Sequence, residues 1–239
     1  MKLLRFKRLG STNTKAYQLA QQGAGEWSVV IADTQTKGRG RLGKAWESPS
    51  GGLWFSVILR PPISPGMAGL IQMLAAVAVL RALRTTVKGR GKVGVKWPND
   101  IVLGGRKLGG ILVETKTAAN ALLFAVVGVG INVNQSEESL PDGAVSLRIY
   151  TGRKRSLQRL LRLILHELES KYGNLQTPSK LVSEWWRHCV HKMKNVRIDG
   201  PEGTTAGVNK GITRDGVLLV ETLPGHLVRV SEGTLRMLD

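Results

Sequence analysis

The chain has 239 residues, of which 42% are hydrophobic, and carries a formal net charge of +18 at pH 7. That length and apolar content allow one large domain, or a medium domain with a small partner, and argue against wholesale disorder. Cys189 is the single cysteine, which excludes an intrachain disulfide and suits a reducing compartment.

The amino end, MKLLRFKRLGSTN, holds charges but neither a continuous apolar stretch nor a small-residue cleavage site, so no secretory leader is expected. Ser11-Thr12-Asn13 ahead of TKAYQLAQQ and Gly23 predicts a capped helix with a glycine stop. Trp27 to Asp33 and Leu53 to Leu59 read as strands, separated by a long loop rich in Gly, Arg and Lys. The apolar run from Met67 to Leu83, broken by Gln72 and Arg81, predicts a buried helix over Gly66 to Thr86, too interrupted to span a bilayer. Ile101 to Leu103, Gly104-Gly105 and Leu108 to Glu114 predict a hairpin, because Gly-Gly supplies the positive φ of a tight turn. Ala121 to Val127 reads as a strand running into Gly128-Val129-Gly130-Ile131-Asn132.

Leu157, Leu160, Leu161, Ile164, Leu165, Leu168 and Tyr172 fall at helical spacing, and a further helix is expected over Leu181 to Val190. His188, Cys189 and His191 come nearest to a metal pattern, but zinc would want further ligands and none is evident, so they read as structural. From Val196 the chain turns to short β-prone runs between Gly, Pro and Asp turns, and the residues from there on sum to −1 (5 basic, 6 acidic). The excess positive charge therefore lies upstream, and a domain boundary is expected near Lys194, giving 1–194 and 195–239. Such a charge excess implies anionic partners.

Gly38-Arg39-Gly40-Arg41-Leu42-Gly43 matches G-x-G-x-x-G after a strand, yet KAWESPSGG follows, which cannot open the helix a dinucleotide fold requires. Accessible glycine N–H groups with Lys37, Arg39, Arg41 and Lys44 suit clustered anions instead. With no anion present, these four cations are expected to repel one another and leave the loop mobile. Lys96-Trp97-Pro98-Asn99-Asp100 presents Asn99 and Asp100 at a strand end, and Lys107 follows across the hairpin beside Gly109-Gly110, where a ligand would have room against the backbone.

In this order and spacing, from about Leu9 to Val133, the motifs resemble the biotin–protein ligase family, and GVNKGITRDGVLLVE resembles its small carboxy-terminal module. The resemblance implies an α+β fold: a mixed, largely antiparallel sheet packed with helices, of the class II aminoacyl-tRNA synthetase/biotin synthetase kind. A small SH3-like β-barrel would follow at the carboxy terminus. It implies a biotin pocket of Ser11, Thr12, Asn13, Gln35, Gly38, Arg39, Gly40, Arg41, Lys107 and Gly110. The ATP and adenylate contacts would be Arg39, Arg41, Trp46, Asn99, Lys107 and Asn132. Lys107, Arg41 and Asp100 would carry the chemistry, with Asp100 also the candidate ligand for Mg²⁺. The substrates would be ATP and biotin, and the partner a biotin carboxyl carrier protein or domain of a biotin-dependent carboxylase. The resemblance further implies a cytoplasmic enzyme without membrane attachment, and is compatible with a homodimer. Family members that also act as repressors carry an amino-terminal helix-turn-helix, whereas here the motifs begin at Ser11, so a dedicated enzyme without specific DNA binding is expected.

The alternatives are a lipoate or octanoyl ligase, whose Arg-Arg-x-Ser-Gly-Gly-Gly loop is replaced here by GRGRLGK, and a basic nucleic-acid-binding protein.

Overall fold

The computed structural model describes residues 1–87 and 93–238. Seven strands build the larger sheet: β1 (Lys2–Leu9), β2 (Ser28–Gln35), β3 (Leu53–Leu59), β4 (Val93–Lys96), β5 (Asp100–Leu103), β6 (Arg106–Ala118) and β7 (Ala121–Ile131). Their order is β1-β2-β3-β7-β6-β5-β4, and only the β1–β2 pair is parallel.

Strand alternation explains why both faces are covered. Val30, Ile58 and Val126 point to one side and pack with Ala16 and Ala20 of helix α1 (Thr12–Gln21). Val29, Phe55, Val57 and Val127 point to the other, beneath helix α2 (Gly69–Val87). Helix α2 is apolar almost all round because it lies between that sheet and helices α4 (Leu157–Lys171) and α5 (Pro178–Arg187). It is long and apolar enough to cross a membrane, but its side chains pack into this core. Its Arg81 reaches Glu184 of α5 at 2.5 Å. A short helix, α3 (Leu147–Thr151), follows β7.

Helices give way to strands at Asn195. β8 (Asn195–Gly200), β9 (Gly203–Ile212), β10 (Leu218–Leu223), β11 (His226–Val230) and β12 (Thr234–Met237) form an antiparallel sheet in the order β11-β10-β9-β8-β12. Among the described residues no β11–β12 ladder closes it into a barrel. Its Val196, Ile198, Leu218, Val220 and Leu235 belong to the same continuous hydrophobic core as α2 and the larger sheet.

Several expectations move. The strand expected from Trp27 begins at Ser28, because Trp27 itself turns at φ 63°. The helix expected over Leu181 to Val190 starts earlier, with Pro178 in its first turn, and ends at Arg187. Val190 cannot extend it, since its N–H donates to Val95 O at 3.0 Å. Strands β1, β9 and β12 had no counterpart in the sequence reading.

Candidate active site

The site forms where the loop after β2, the start of α1 and the ends of β4–β7 converge. Ser11 caps α1, its Oγ accepting the N–H of Thr14. That cap brings Thr12 to Gln35, whose Oε1 accepts from the Thr12 N–H at 2.7 Å and from its hydroxyl at 3.0 Å. Gln35 Nε2 in turn donates to Ser48 Oγ at 2.7 Å, tying both ends of the loop together. Gly38 is required inside it, because a Cβ there would lie 2.3 Å from Trp46 O. Buried Ser56 donates to Asn13 Oδ1 at 2.6 Å, and a Cβ on Gly128 would lie 2.0 Å from that same oxygen.

Of these, Ser11, Thr12, Asn13, Gln35, Trp46 and Gly128 line a narrow cleft of about 410 Å³, together with Arg39, Gly40, Asn99, Gly110, Ile111, Leu112, Val129 and Gly130. It is rich in neutral hydrogen-bonding groups. A second cleft, about 770 Å³, shares Gly40, Trp46 and Asn99 with the first and adds Arg41, Lys96, Asp100 and Lys107. Gly233, Thr234 and Leu235 of the carboxy-terminal sheet form its far wall.

Lys107 Nζ lies 2.7 Å from Asp100 Oδ1 and 5.2 Å from the centroid of the Trp46 ring. Burial lowers the pKa of Arg41, while the charges of Glu232 and Asp100 oppose the shift. No group of three His, Cys, Asp or Glu gathers as a metal site among the described residues. The one carboxylate lining the second cleft, Asp100, is engaged by Lys107, so a Mg²⁺ ion would rely mainly on phosphate oxygens for its ligands.

Asn132 lines neither cleft: it is buried, its N–H donates to Leu108 O at 2.9 Å, and its Oδ1 accepts from Gln135. The Trp46 ring packs against the glycines of β6 and β7, since a Cβ on Gly130 would meet its Nε1 at 2.8 Å and one on Gly110 its Cζ3 at 3.1 Å, and Gly110, Gly128 and Gly130 still line the first cleft. Trp46 Nε1 is buried there with no partner. Of the four loop cations, Arg39 has a counter-ion within the protein. Arg39 Nη2 donates to Glu114 at 2.8 and 2.6 Å, and Asn13 Nδ2 donates to the same carboxylate at 2.8 Å. Glu114 escaped the sequence reading, although alternation along β6 places it on the face of Gly110 and Leu112. Ser56 escaped it as well.

Two adjoining clefts, one rich in hydrogen-bonding side chains and one carrying Arg41, Lys96 and Lys107, thus meet at Gly40, Trp46 and Asn99. The chain belongs to the biotin/lipoate A/B protein ligase family, which it matches over residues 5–132. It is 37% identical over 226 residues to the bifunctional ligase/repressor BirA of Bacillus subtilis, covering 91% of this chain and 68% of that protein. It is 32% identical over 230 residues to the biotin–[acetyl-CoA-carboxylase] ligase of Mycobacterium tuberculosis, covering 94% and 84%. The structure of biotin protein ligase from Aquifex aeolicus in complex with biotin and ATP superposes with a TM-score of 0.83 at 27% identity, covering 99% of each chain.

Proposed function

We infer that this protein is an ATP-dependent biotin–protein ligase that joins biotin to a lysine of a biotin carboxyl carrier protein or domain. The observation that carries the reading is the contact between the two clefts at Gly40, Trp46 and Asn99. A ligand spanning them would set a neutral ring among Ser11, Thr12, Asn13 and Gln35 and its carboxylate beside Lys107 and Arg41.

Activation requires the biotin carboxylate to attack the α-phosphorus of ATP. A P–O bond forms, the bond to pyrophosphate breaks, and biotinyl-AMP results. Two anionic groups must approach, so Arg41 and Lys107, lining the same cleft, offset their repulsion. Mg²⁺ carried on the triphosphate would supply further positive charge. In the second step the neutral ε-amine of the acceptor lysine attacks the carbonyl, AMP leaves, and an amide remains. Asp100 orients Lys107 through their ion pair. Arg39, Gly38 and Gly110 shape the biotin end, while Trp46 and Asn99 sit at the junction with the nucleotide. We read residues 1–194 as the catalytic domain and 195–239 as a small SH3-like module whose Gly233–Leu235 edge completes the nucleotide cleft. A cytoplasmic enzyme accords with one buried, unpaired cysteine.

Arg39→Ala should weaken biotin binding by about 10–150-fold, since a charge-assisted hydrogen-bonded group is worth roughly 1.5–3 kcal/mol, and leave the KM for the acceptor near its wild-type value. Isothermal titration with biotin, set beside acceptor kinetics, checks this. An unchanged biotin affinity would detach Arg39 from the biotin end.

The loop also makes a proteolytic prediction. Lys37 and Lys44 are exposed, so trypsin should cut there first in the free protein. Biotin plus ATP should slow those cuts sharply, whereas ATP with lipoate should not, as read by mass spectrometry of timed digests. Equal rates under all conditions would remove loop closure from the mechanism. To separate the ligase types, thermal shift with biotin or lipoate in the presence of ATP should show stabilisation by biotin alone. Stabilisation by lipoate alone would reverse the assignment.

A further inference from the structure

Below the cleft, a polar cluster is sealed into the seam between the helical body and the carboxy-terminal sheet. His191 and Asn209 are 0% exposed. His191 Nε2 lies 2.9 Å from the backbone nitrogen of Trp97. A peptide N–H only donates, so Nε2 is the acceptor and the ring proton resides on Nδ1. Nδ1 lies 2.7 Å from the side-chain amide of Asn209 and 3.4 Å from Cys189 Sγ. The protonated Nδ1 calls for an acceptor, and Cys189 Sγ stands within reach at 3.4 Å. Asn209 Nδ2 also donates to His191 O at 3.1 Å, so the amide braces the backbone of His191 as well as its ring.

The cluster joins elements distant in sequence. Asn209 lies on β9, and its N–H donates to Lys194 O at 2.9 Å. The segment carrying His191 runs beside β4, where Val95 N donates to His188 O at 2.9 Å and Val190 N to Val95 O at 3.0 Å. Trp97 is gripped a second time, its Nε1 donating to Gly216 O at 3.3 Å. Three residues beyond Trp97 stands Asp100, which holds Lys107 at 2.7 Å. Burial lowers the His191 pKa to about 4, so the ring stays neutral and keeps its acceptor near neutral pH.

We propose that His191 is a positioning residue for adenylation. Braced by Asn209 of the carboxy-terminal sheet, it holds the Trp97 peptide and so sets where Asp100 and Lys107 stand. The proposal rests on the ligase reading above. It predicts a split between chemistry and binding, because the network of Ser11, Thr12 and Gln35 does not pass through His191.

The test uses His191→Ala and His191→Gln in the full chain, with pyrophosphate release measured against biotin and ATP. In His191→Gln the new Oε1 can reach the Trp97 N–H and accept from it. His191→Ala should lose about tenfold or more in kcat, as expected for a displaced catalytic group. Its KM for biotin should stay within about twofold, the mark of an interaction that serves only the reaction. His191→Gln should recover most of the kcat. A folded His191→Ala with wild-type kcat would overturn the proposal, as would equal loss of kcat and biotin affinity in both variants. Should His191→Ala fail to fold, ¹⁵N NMR of the wild-type ring decides. Protonated Nδ1 with acceptor Nε2 supports the anchor, and protonated Nε2 refutes it. That spectrum needs no substrate, so it reports on the anchor even if biotin proves not to be the substrate.

Discussion

Lys107→Ala should lower biotin- and ATP-dependent pyrophosphate release by about 10²–10³-fold, the usual cost of removing a fixed donor from a site of developing charge. The same variant should fail in single-turnover transfer from preformed biotinyl-AMP, if Lys107 also steadies the carbonyl oxygen during attack by the amine. Folding should be preserved. The Lys107 side chain is 42% exposed, and its links to other side chains are the Asp100 ion pair and the face of Trp46. Exposed pairs of this kind contribute little to stability. A variant with the wild-type melting temperature and wild-type pyrophosphate release would remove Lys107 from the catalytic machinery.

A chain ending at Lys194 should lose both activity and cooperative folding. The carboxy-terminal sheet is welded to the rest, since Leu218, Val220 and Leu235 share the core of α2. At Gly69, the first residue of α2, a Cβ would lie 2.0 Å from Asp215 O. Truncation would uncover Trp97, now 3% exposed, and Trp185, now 2% exposed. Each large apolar side chain returned to water costs roughly 1.5–3 kcal/mol, a serious loss against a typical total of about 5–15 kcal/mol. It would also strip the brace from His191 and the far wall from the nucleotide cleft. Circular dichroism melts of the truncated chain check the folding claim. A sharp melt near the wild-type temperature would mean that the seam contributes little, and the sheet would then be an independently attached module.

How much of this could be read beforehand depended on range along the chain. Leu53–Leu59 was legible because a wholly buried central strand is a continuous apolar run. The β5–β6 hairpin was legible because Gly104 and Gly105 both take positive φ, the signature of their turn. Strand β1 was not. KLLRFKRL lies at a sheet edge with one neighbour, and its exposed cations broke the apolar pattern that marks a strand. Strand β9 was hidden by the glycines in GTTAGVNKGI. In the site, residues within motifs came together as expected, because each motif is a local piece of chain. The partners that hold those motifs were invisible. Glu114 meets Arg39 from 75 residues away, and His191 meets Trp97 from 94. The resemblance placed Asn132 near the nucleotide, and its inward contact with Gln135 was likewise not legible in the sequence.

The central claim is that the two adjoining clefts make one adenylating site for biotin. Its most direct test is pyrophosphate release by the purified full-length chain given biotin, ATP and Mg²⁺, with the nucleotide product identified by mass spectrometry. The account predicts biotin-dependent pyrophosphate together with biotinyl-AMP, with neither formed when lipoate replaces biotin. Pyrophosphate release that ignores biotin, or an adenylate formed only with lipoate, would contradict it.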